Sequence, residues 1–304
     1  MMQCRLCPHE CGADRREKLG VCRAPARPVV ALASLHHWEE PAVSGSQGSG
    51  AIFFSHCNLA CVFCQNWDIS QGVREPGSGG VIVRGREVSV ERLREIAFEL
   101  KAQGAHNINL VSPTPYSEMI LEALLPVRKE LGIPIVWNSN AYEPVGVLRR
   151  LEPLVDVYLP DLKFQSPEAA QKYCGTADYF QYANQAIGEM HRQKPVAKLQ
   201  EGGGLMTQGL IIRHLVIPGL VEDSKRILTW IADNIGTQVH ISLMAQYTPV
   251  HKASRFPELN RRLRQSEFAA VCERYTELGF ENGWVQELSA ASSEYTPEFD
   301  LRGT

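Results

Sequence analysis

From about residue 50 onward, short β-branched apolar runs alternate with stretches whose apolar positions recur every three to four residues, which predicts repeated βα units around a parallel sheet. The runs at 51–55, 107–111, 134–137, 155–159, 210–217 and 239–243 read as strands. Between them Val90, Leu93, Ile96, Ala97 and Leu100 form one helical stripe, opened by Ser89 as N-cap and closed by Gly104. Ile227, Leu228, Ile231, Ala232 and Ile235 repeat this before Gly236, as do Phe268, Val271, Cys272, Tyr275 and Leu278 before Gly279. Pro126 should break the helix expected after Pro115, because proline lacks the N–H a helix interior needs. Six such units suit a partial barrel or an open doubly wound sheet, and periodicity does not choose between them. In either, chemistry belongs at the C-terminal ends of the strands. The Gly/Ser/Pro-rich stretches at 44–50, 76–80 and 202–204 read as loops, and Gly48-x-Gly50 as a tight backbone path. Residues 1–30 stand apart as a small cysteine module, leaving 31–304 for the α/β body and a C-terminal extension.

The 304 residues are enough to bury a core, and the net charge of -3 gives no general attraction to nucleic-acid backbones or anionic lipid. No apolar run approaches the roughly 18 residues that span a bilayer. The opening Met1-Met2-Gln3-Cys4-Arg5-Leu6-Cys7 lacks the basic-then-apolar order of a signal peptide. The expectation is a cytoplasmic protein with neither a nucleic-acid nor a membrane partner.

Nine cysteines in such a chain point to metal or redox chemistry rather than a disulfide framework. Cys57, Cys61 and Cys64 lie within eight residues directly after the first predicted strand. A structural zinc would want a fourth ligand, from His56 or a distant residue. A four-iron four-sulfur cluster on three thiolates would keep one iron open to an outside ligand. Cys4, Cys7, Cys11 and Cys22 offer four soft ligands within 19 residues, enough to close one tetrahedral site and hold together a segment too small for a core. Zinc is the reading adopted there, with an auxiliary iron–sulfur cluster as the alternative. Cys174 and Cys272 read as core.

Cys57-x3-Cys61-x2-Cys64, with Phe63 just before the last cysteine and a strand just before the loop, resembles the radical S-adenosylmethionine superfamily. The resemblance widens through His36-His37-Trp38-Glu39-Glu40-Pro41, Cys64-Gln65-Asn66-Trp67, Tyr158-Leu159-Pro160-Asp161-Leu162-Lys163 and Ile212-Arg213-His214-Leu215-Val216-Ile217-Pro218-Gly219. Over most of residues 30–250 the chain is similar to homologues of the pyruvate formate-lyase activating enzyme, in particular an uncharacterised branch of them. That resemblance implies an α/β fold, a partial (β/α)6 TIM-like barrel behind the N-terminal cysteine-rich module. It also implies that Cys57, Cys61 and Cys64 ligate a four-iron four-sulfur cluster whose open iron is chelated by S-adenosylmethionine. Phe63 would pack near the adenine, with Asn66 also binding the cofactor. The implied chemistry is one-electron reduction of the sulfonium to methionine and a 5′-deoxyadenosyl radical that abstracts a substrate hydrogen. An electron donor such as flavodoxin or ferredoxin, and a glycyl residue of a partner enzyme as substrate, follow from the same likeness. Radical modification of another peptide or a small molecule is one rival; a noncatalytic metal-binding or electron-transfer protein is another.

The resemblance also assigns roles outside the cluster loop. Asp161 and Lys163 end the fourth predicted strand on one side and would lie beside the methionine end of the cofactor, Asp161 helping to hold a cation; the alternative is a solvated loop pair. Arg213 is a charge inside an apolar strand and must be paired or face a polar interior. The likeness puts it near the cofactor, whereas His214 reads as a hydrogen-bonded core residue. Asp161, Lys163 and Arg213 are therefore the catalytic candidates. Ser112, Pro113 and Thr114 stand where the superfamily usually carries Gly-Gly-Glu for the cofactor's amino group; their hydroxyls or carbonyls can accept the same protons. Asn138-Ser139-Asn140 stands where the activating enzymes show Asp-Thr-Asn, so Asn138 and Asn140 are kept as cofactor-binding while the lost carboxylate weakens the case for a cation. Gln246 and Tyr247, after the sixth strand, are expected at the pocket. Arg149-Arg150 and Arg261-Arg262-x-Arg264 read as solvated helix faces.

Overall fold

Strands that are apolar at both odd and even positions need helices on one side and a filled interior on the other. The computed structural model, which describes residues 3–74, 80–201, 204–290 and 296–304, supplies both. The strands are β1 (Val29–His36), β2 (Ser49–Phe54), β3 (Ile108–Val111), β4 (Ile135–Ser139), β5 (Val157–Pro160), β6 (Met206–Leu215), β7 (His240–Met244) and β8 (Gly283–Val285). Their order in the sheet is β8-β7-β6-β5-β4-β3-β2-β1, with the short Arg86–Glu87 strand beyond β1. From β2 to β8 neighbours are sequential and parallel. A doubly wound sheet would reverse its order at a switch point. The unreversed order, with β8 and β1 left unpaired to each other, is that of a partial barrel.

Alternate residues separate the two environments. Ile108, Leu110, Ile135, Trp137, Tyr158 and Ile212 pack outward with the helices, whereas Val136, Val157, Leu159 and Ile211 pack inside. Helix α1 (Pro41–Ser44) turns inward too, so that Ala42 and Val43 join that inner cluster, and Asn107 Nδ2 donates to Val43 O at 2.7 Å. The segment from β1 to β2 thereby enters the barrel interior and carries Glu39 and Glu40 with it.

The outer helices follow the predicted stripes. In α2 (Val90–Ala102) Leu93, Ile96, Ala97 and Leu100 are buried, and the Ser89 hydroxyl accepts from Arg92 N at 3.1 Å. Each such aliphatic side chain contributes about 1.5–3 kcal/mol by leaving water. Helix α3 (Ser117–Leu124) stops before Pro126, and a separate turn covers Arg128–Leu131. The remaining helices used below are α4 (Val145–Leu151), α5 (Pro167–Cys174), α6 (Tyr179–Gln193), α7 (Val221–Asn234) and α8 (Gln265–Glu277).

The sequence reading missed two edges. β1 is antiparallel to β2 and belongs to no βα unit, so the repeat pattern gave no sign of it. β8 is three residues long. The C-terminal extension runs along β1, with Leu301 N donating to Ala31 O and Ala33 N to Arg302 O, while Phe299 packs edge-on against Phe53. Residues 261–264 precede α8 rather than lying on it, and Arg261 is paired with Glu267 instead of solvated. Residues 3–28 contain neither helix nor strand. Of the expected loops, 76–79 and 202–203 lie outside the described residues. Among the described residues no helix is long and apolar enough to cross a membrane.

Candidate active site

Parallel strands deliver their last residues to one end of a barrel, and here those residues carry the charges. Lys163 Nζ donates to Asp161 Oδ2 at 2.7 Å, and Arg213 Nε donates to Asp161 Oδ1 at 2.7 Å. Arg213 also donates through Nη1 to Glu39 Oε2 at 3.2 Å and through Nη2 to Asn138 Oδ1. Glu39 Oε1 accepts from Asn109 at 3.0 Å and from Asn138 at 3.3 Å. The line Lys163, Asp161, Arg213, Glu39 therefore alternates in sign from the mouth into the interior. Burial opposes the charge on Asp161, but Arg213 and Lys163 outweigh it and hold its carboxyl below the usual range. Burial likewise opposes the Lys163 ammonium, and Asp161 reverses this, raising it to about 12. Glu39 and Glu40 are pushed up by burial, against the pull of Arg213.

Above this line stands the cysteine loop. Cys57, Cys61 and Cys64 line the same pocket, of about 300 Å³, as Asp161, Lys163 and Arg213. Burial raises the Cys57 thiol to about 12 and the Cys64 thiol to about 11, and neighbouring sulfurs add to the effect. Cys61 rises well above the ordinary value because its thiol is engaged with that of Cys174, and burial adds to this. Three thiols, one buried and two half-buried, that resist ionising alone are a donor set that a soft cation would satisfy. Among the described residues no three Cys, His, Asp or Glu side chains stand together at metal-binding spacing, and the Cys61 thiol is turned toward Cys174. Asn140 Nδ2 donates to Cys57 Sγ at 3.3 Å and to Asn58 Oδ1 at 2.8 Å, tying the end of β4 to this loop.

Other predicted residues divide. Phe63 and Asn66 line the pocket; Phe63 is buried between Phe164 and Tyr247, with ring centroids 6.1 and 5.9 Å away. Ser112 lines it with a left-handed backbone, φ 57°, at the position where the superfamily carries glycine. Asn138 lines it, but its amide is already used by Glu39 and Arg213. Thr114 does not join the pocket: its Oγ1 donates to Glu143 Oε1 at 2.8 Å, deep in the core with Trp137 and Ser139. Gln246 lines the pocket, while Tyr247 turns away to donate to Leu259 O. His214 is buried between Leu162 O and Ser224 Oγ, as its sequence context suggested. Glu39 and Glu40 are functional candidates that the sequence reading does not single out; two adjacent carboxylates just before a proline are the available signal.

The N-terminal cysteines dock beside this loop. Cys4 and Cys11 are joined by a thiol hydrogen bond, and Cys4, Cys11 and Cys22 bear electrostatically on Cys7, which burial raises to about 12. Gly20 admits the Cys11 sulfur, since a Cβ there would lie 2.4 Å from it. His9 Nε2 meets Asn58 O at 2.8 Å, and the His9 ring packs edge-on to Tyr142. A cavity of about 750 Å³ lies between this segment and the cysteine loop, lined by both Cys22 and Cys57. It is larger than the pocket at the strand ends, but the charged line and the three thiols converge on the smaller one.

Comparison with known proteins adds the family and the fold. The chain is 32% identical over 273 residues to the uncharacterized protein MJ0674 of Methanocaldococcus jannaschii, covering 89% of this chain and 73% of that protein. It is 23% identical over 279 residues to the uncharacterized protein MJ0808 of the same organism, covering 84% and 73%. Streptococcus suis SuiB, in its complex with the precursor peptide SuiA, shares the fold with a TM-score of 0.51 at 12% identity, over 77% of this chain. The chain spans about half the length of SuiB, 48%. The profile of the radical SAM superfamily matches residues 51–231, which hold the cysteine loop, the Asp161–Lys163 pair and Arg213. On that match, the chain belongs to the radical SAM superfamily.

Proposed function

We propose that this chain holds a four-iron four-sulfur cluster on Cys57, Cys61 and Cys64 and S-adenosylmethionine beside Lys163, Asp161 and Arg213, and works as an oxidoreductase that abstracts hydrogen from a substrate. One observation carries the reading: three thiols and an alternating line of half-buried charges share one pocket at the C-terminal ends of parallel strands. When bound, the cluster and cofactor supply one-electron reduction and homolytic cleavage of a carbon–sulfur bond.

The protein's residues supply position and solvent exclusion. Lys163 presents a permanently charged ammonium to a carboxylate, and Asp161, held ionised, fixes where that ammonium stands. Asn140 donates to the Cys57 sulfur and so orients it. Phe63 and Leu215 form apolar wall that keeps water from a reactive centre. Ser112 offers the hydroxyl for the cofactor's amino group, and Thr114 is withdrawn from that role.

The substrate we assign is a glycyl residue of a partner enzyme, in the manner of the pyruvate formate-lyase activating enzymes; a peptide of another kind is the second reading, since the fold is shared with a protein seen with its precursor peptide. Residues 1–30 would form a separate module closing a structural zinc site on Cys4, Cys7, Cys11 and Cys22. Flavodoxin or ferredoxin would deliver the electron. Nine free thiols suit the reducing cytoplasm.

The test is anaerobic reconstitution with iron and sulfide, followed by reduction in the presence of S-adenosylmethionine. The expected result is about four irons on the three-cysteine site and release of 5′-deoxyadenosine. Protein that binds iron but neither binds nor cleaves the cofactor would be a carrier, and the enzyme reading would fall.

A further inference from the structure

The charge line in the pocket leaves one member incomplete. Glu40 follows Glu39 at the inward turn before α1, lines the pocket and is 8% exposed. Arg213 is shared between Asp161 and Glu39, and Lys163 is taken by Asp161. Glu40 receives the Ser242 hydroxyl and nothing more from a side chain; its Oε2 is buried with no hydrogen-bond partner. Arg213 attracts the Glu40 charge without bonding to it, but a buried carboxylate oxygen with no donor still keeps part of its desolvation cost, which is worth keeping only where a ligand supplies the missing donor. Of the carboxylate, ammonium and guanidinium side chains that line the pocket, Glu39, Glu40 and Asp161 outnumber Lys163 and Arg213, so a further positive charge finds an unmatched acid. The wall nearby is apolar, formed by Phe53, Leu215, Met244 and Trp284.

We propose that Glu40, set by Ser242 and backed by Glu39, is the anchor for a cationic end of the substrate, an ammonium or guanidinium on an alkyl stem that lies along Trp284 and Met244. The inference rests on the reading of this pocket as the active site and names the class of molecule that reading leaves open: a substrate, peptide or small molecule, that enters with a positive charge. The ammonium donates to Glu40 Oε2, giving a charge-assisted hydrogen bond in a water-poor site, where such bonds are strongest. A neutral alcohol of the same shape fills the wall without neutralising the carboxylate, and an anion is repelled by Glu39 and Glu40 together.

The experiment titrates the full-length chain, without added cofactor, with n-butylammonium, n-butanol and butyrate by calorimetry, and repeats the series on Glu40→Gln. The wild type is expected to bind butylammonium about tenfold more tightly than either isostere, and Glu40→Gln to lose that preference. Equal binding of butanol, tighter binding of butyrate, or a preference that survives in Glu40→Gln would overturn the proposal. Should Glu40→Gln fail to fold, as judged by circular dichroism, the three-probe comparison on the wild type decides alone. S-Adenosylmethionine affinity is measured on both proteins: its loss in Glu40→Gln with the amine preference intact would assign the carboxylate to the cofactor and overturn the proposal. An amine preference in a protein that binds no cluster would bring down the function proposed above and leave the cation site standing.

Discussion

Arg213 and Asp161 are joined twice, by a parallel bridge between adjacent strands and by a 2.7 Å hydrogen bond from Nε to Oδ1 inside the barrel. The backbone bridge fixes the two Cα atoms, so the ion pair is formed with little side-chain freedom left to lose. Removing the acid while keeping its shape isolates the pair. Asp161→Asn leaves Lys163 and one edge of Arg213 without an anion, although Glu39 still meets the other edge. Stability should fall by about 3 kcal/mol, the low end for a broken buried pair. S-Adenosylmethionine affinity should fall with it, and iron content should not. A variant with unchanged melting temperature and cofactor affinity would return the pair to the solvated-loop reading.

The two cysteine groups should separate by metal analysis. Replacing Cys57, Cys61 and Cys64 together by Ala should abolish the reducible cluster and 5′-deoxyadenosine release. Replacing Cys7 by Ser should lower zinc content and melting temperature while most of the iron stays. Loss of about four irons on Cys7→Ser would make the first group an auxiliary cluster.

Thr114 tests how far the family pattern can be carried. Its hydroxyl serves Glu143, whose carboxyl burial pushes up and whose bonds from Ser139, Trp137 and Thr114 pull back. Thr114→Ala should cost about 1–3 kcal/mol, as expected for a hydrogen bond to a buried carboxylate, and Thr114→Ser should restore most of it. Calorimetric titration with S-adenosylmethionine should give the same affinity for both variants. A drop in affinity without a drop in melting temperature would put Thr114 back at the cofactor.

A pH signature is expected from a pair that does not line the pocket. Glu267 receives a two-pronged contact from Arg261, both at 2.7 Å, and the backbone N–H groups of Gly219 and Arg264. The Arg261 bonds, against some burial, hold its carboxyl down at about 2. Because the folded value is depressed, the stability it brings is complete above the ordinary value of about 4.5 and is lost as pH falls toward 2. Glu267→Gln should therefore lower stability by about 2 kcal/mol at pH 7 and match the wild type near the folded value. Denaturant titrations at a series of pH values check this; a gap that persists in acid would mean the loss is one of packing.

All six predicted strands are present, their ends within four residues of expectation, because buried β-branched runs bounded by turns are a local signal. The three-cysteine loop and the Asp161–Lys163 pair were legible for the same reason: their spacing is short and their strand context is nearby. Glu39 reaches Arg213 across 174 residues of chain, and no local period predicts such a contact. Thr114 was placed by likeness to a sequence pattern, which carries no sign of Glu143, the buried acid that its hydroxyl meets in the structure. The barrel, finally, could not be told from an open sheet by periodicity, since both bury strands on two faces; the unreversed strand order separates them.

Tyr179, at the start of α6, places its hydroxyl 2.7 Å from Asp161 O and 3.0 Å from Asn140 O and accepts from Lys163 N at 3.0 Å. Three backbone groups from two segments at the mouth of the barrel are thus fastened by one phenol that is fully buried. Their ordering entropy is spent when the chain folds, so a ligand arriving at Lys163 and Asp161 meets groups already in place. Binding there should carry the heat-capacity change of the surface it covers and little more, with none of the large unfavourable entropy that marks a loop closing over its guest.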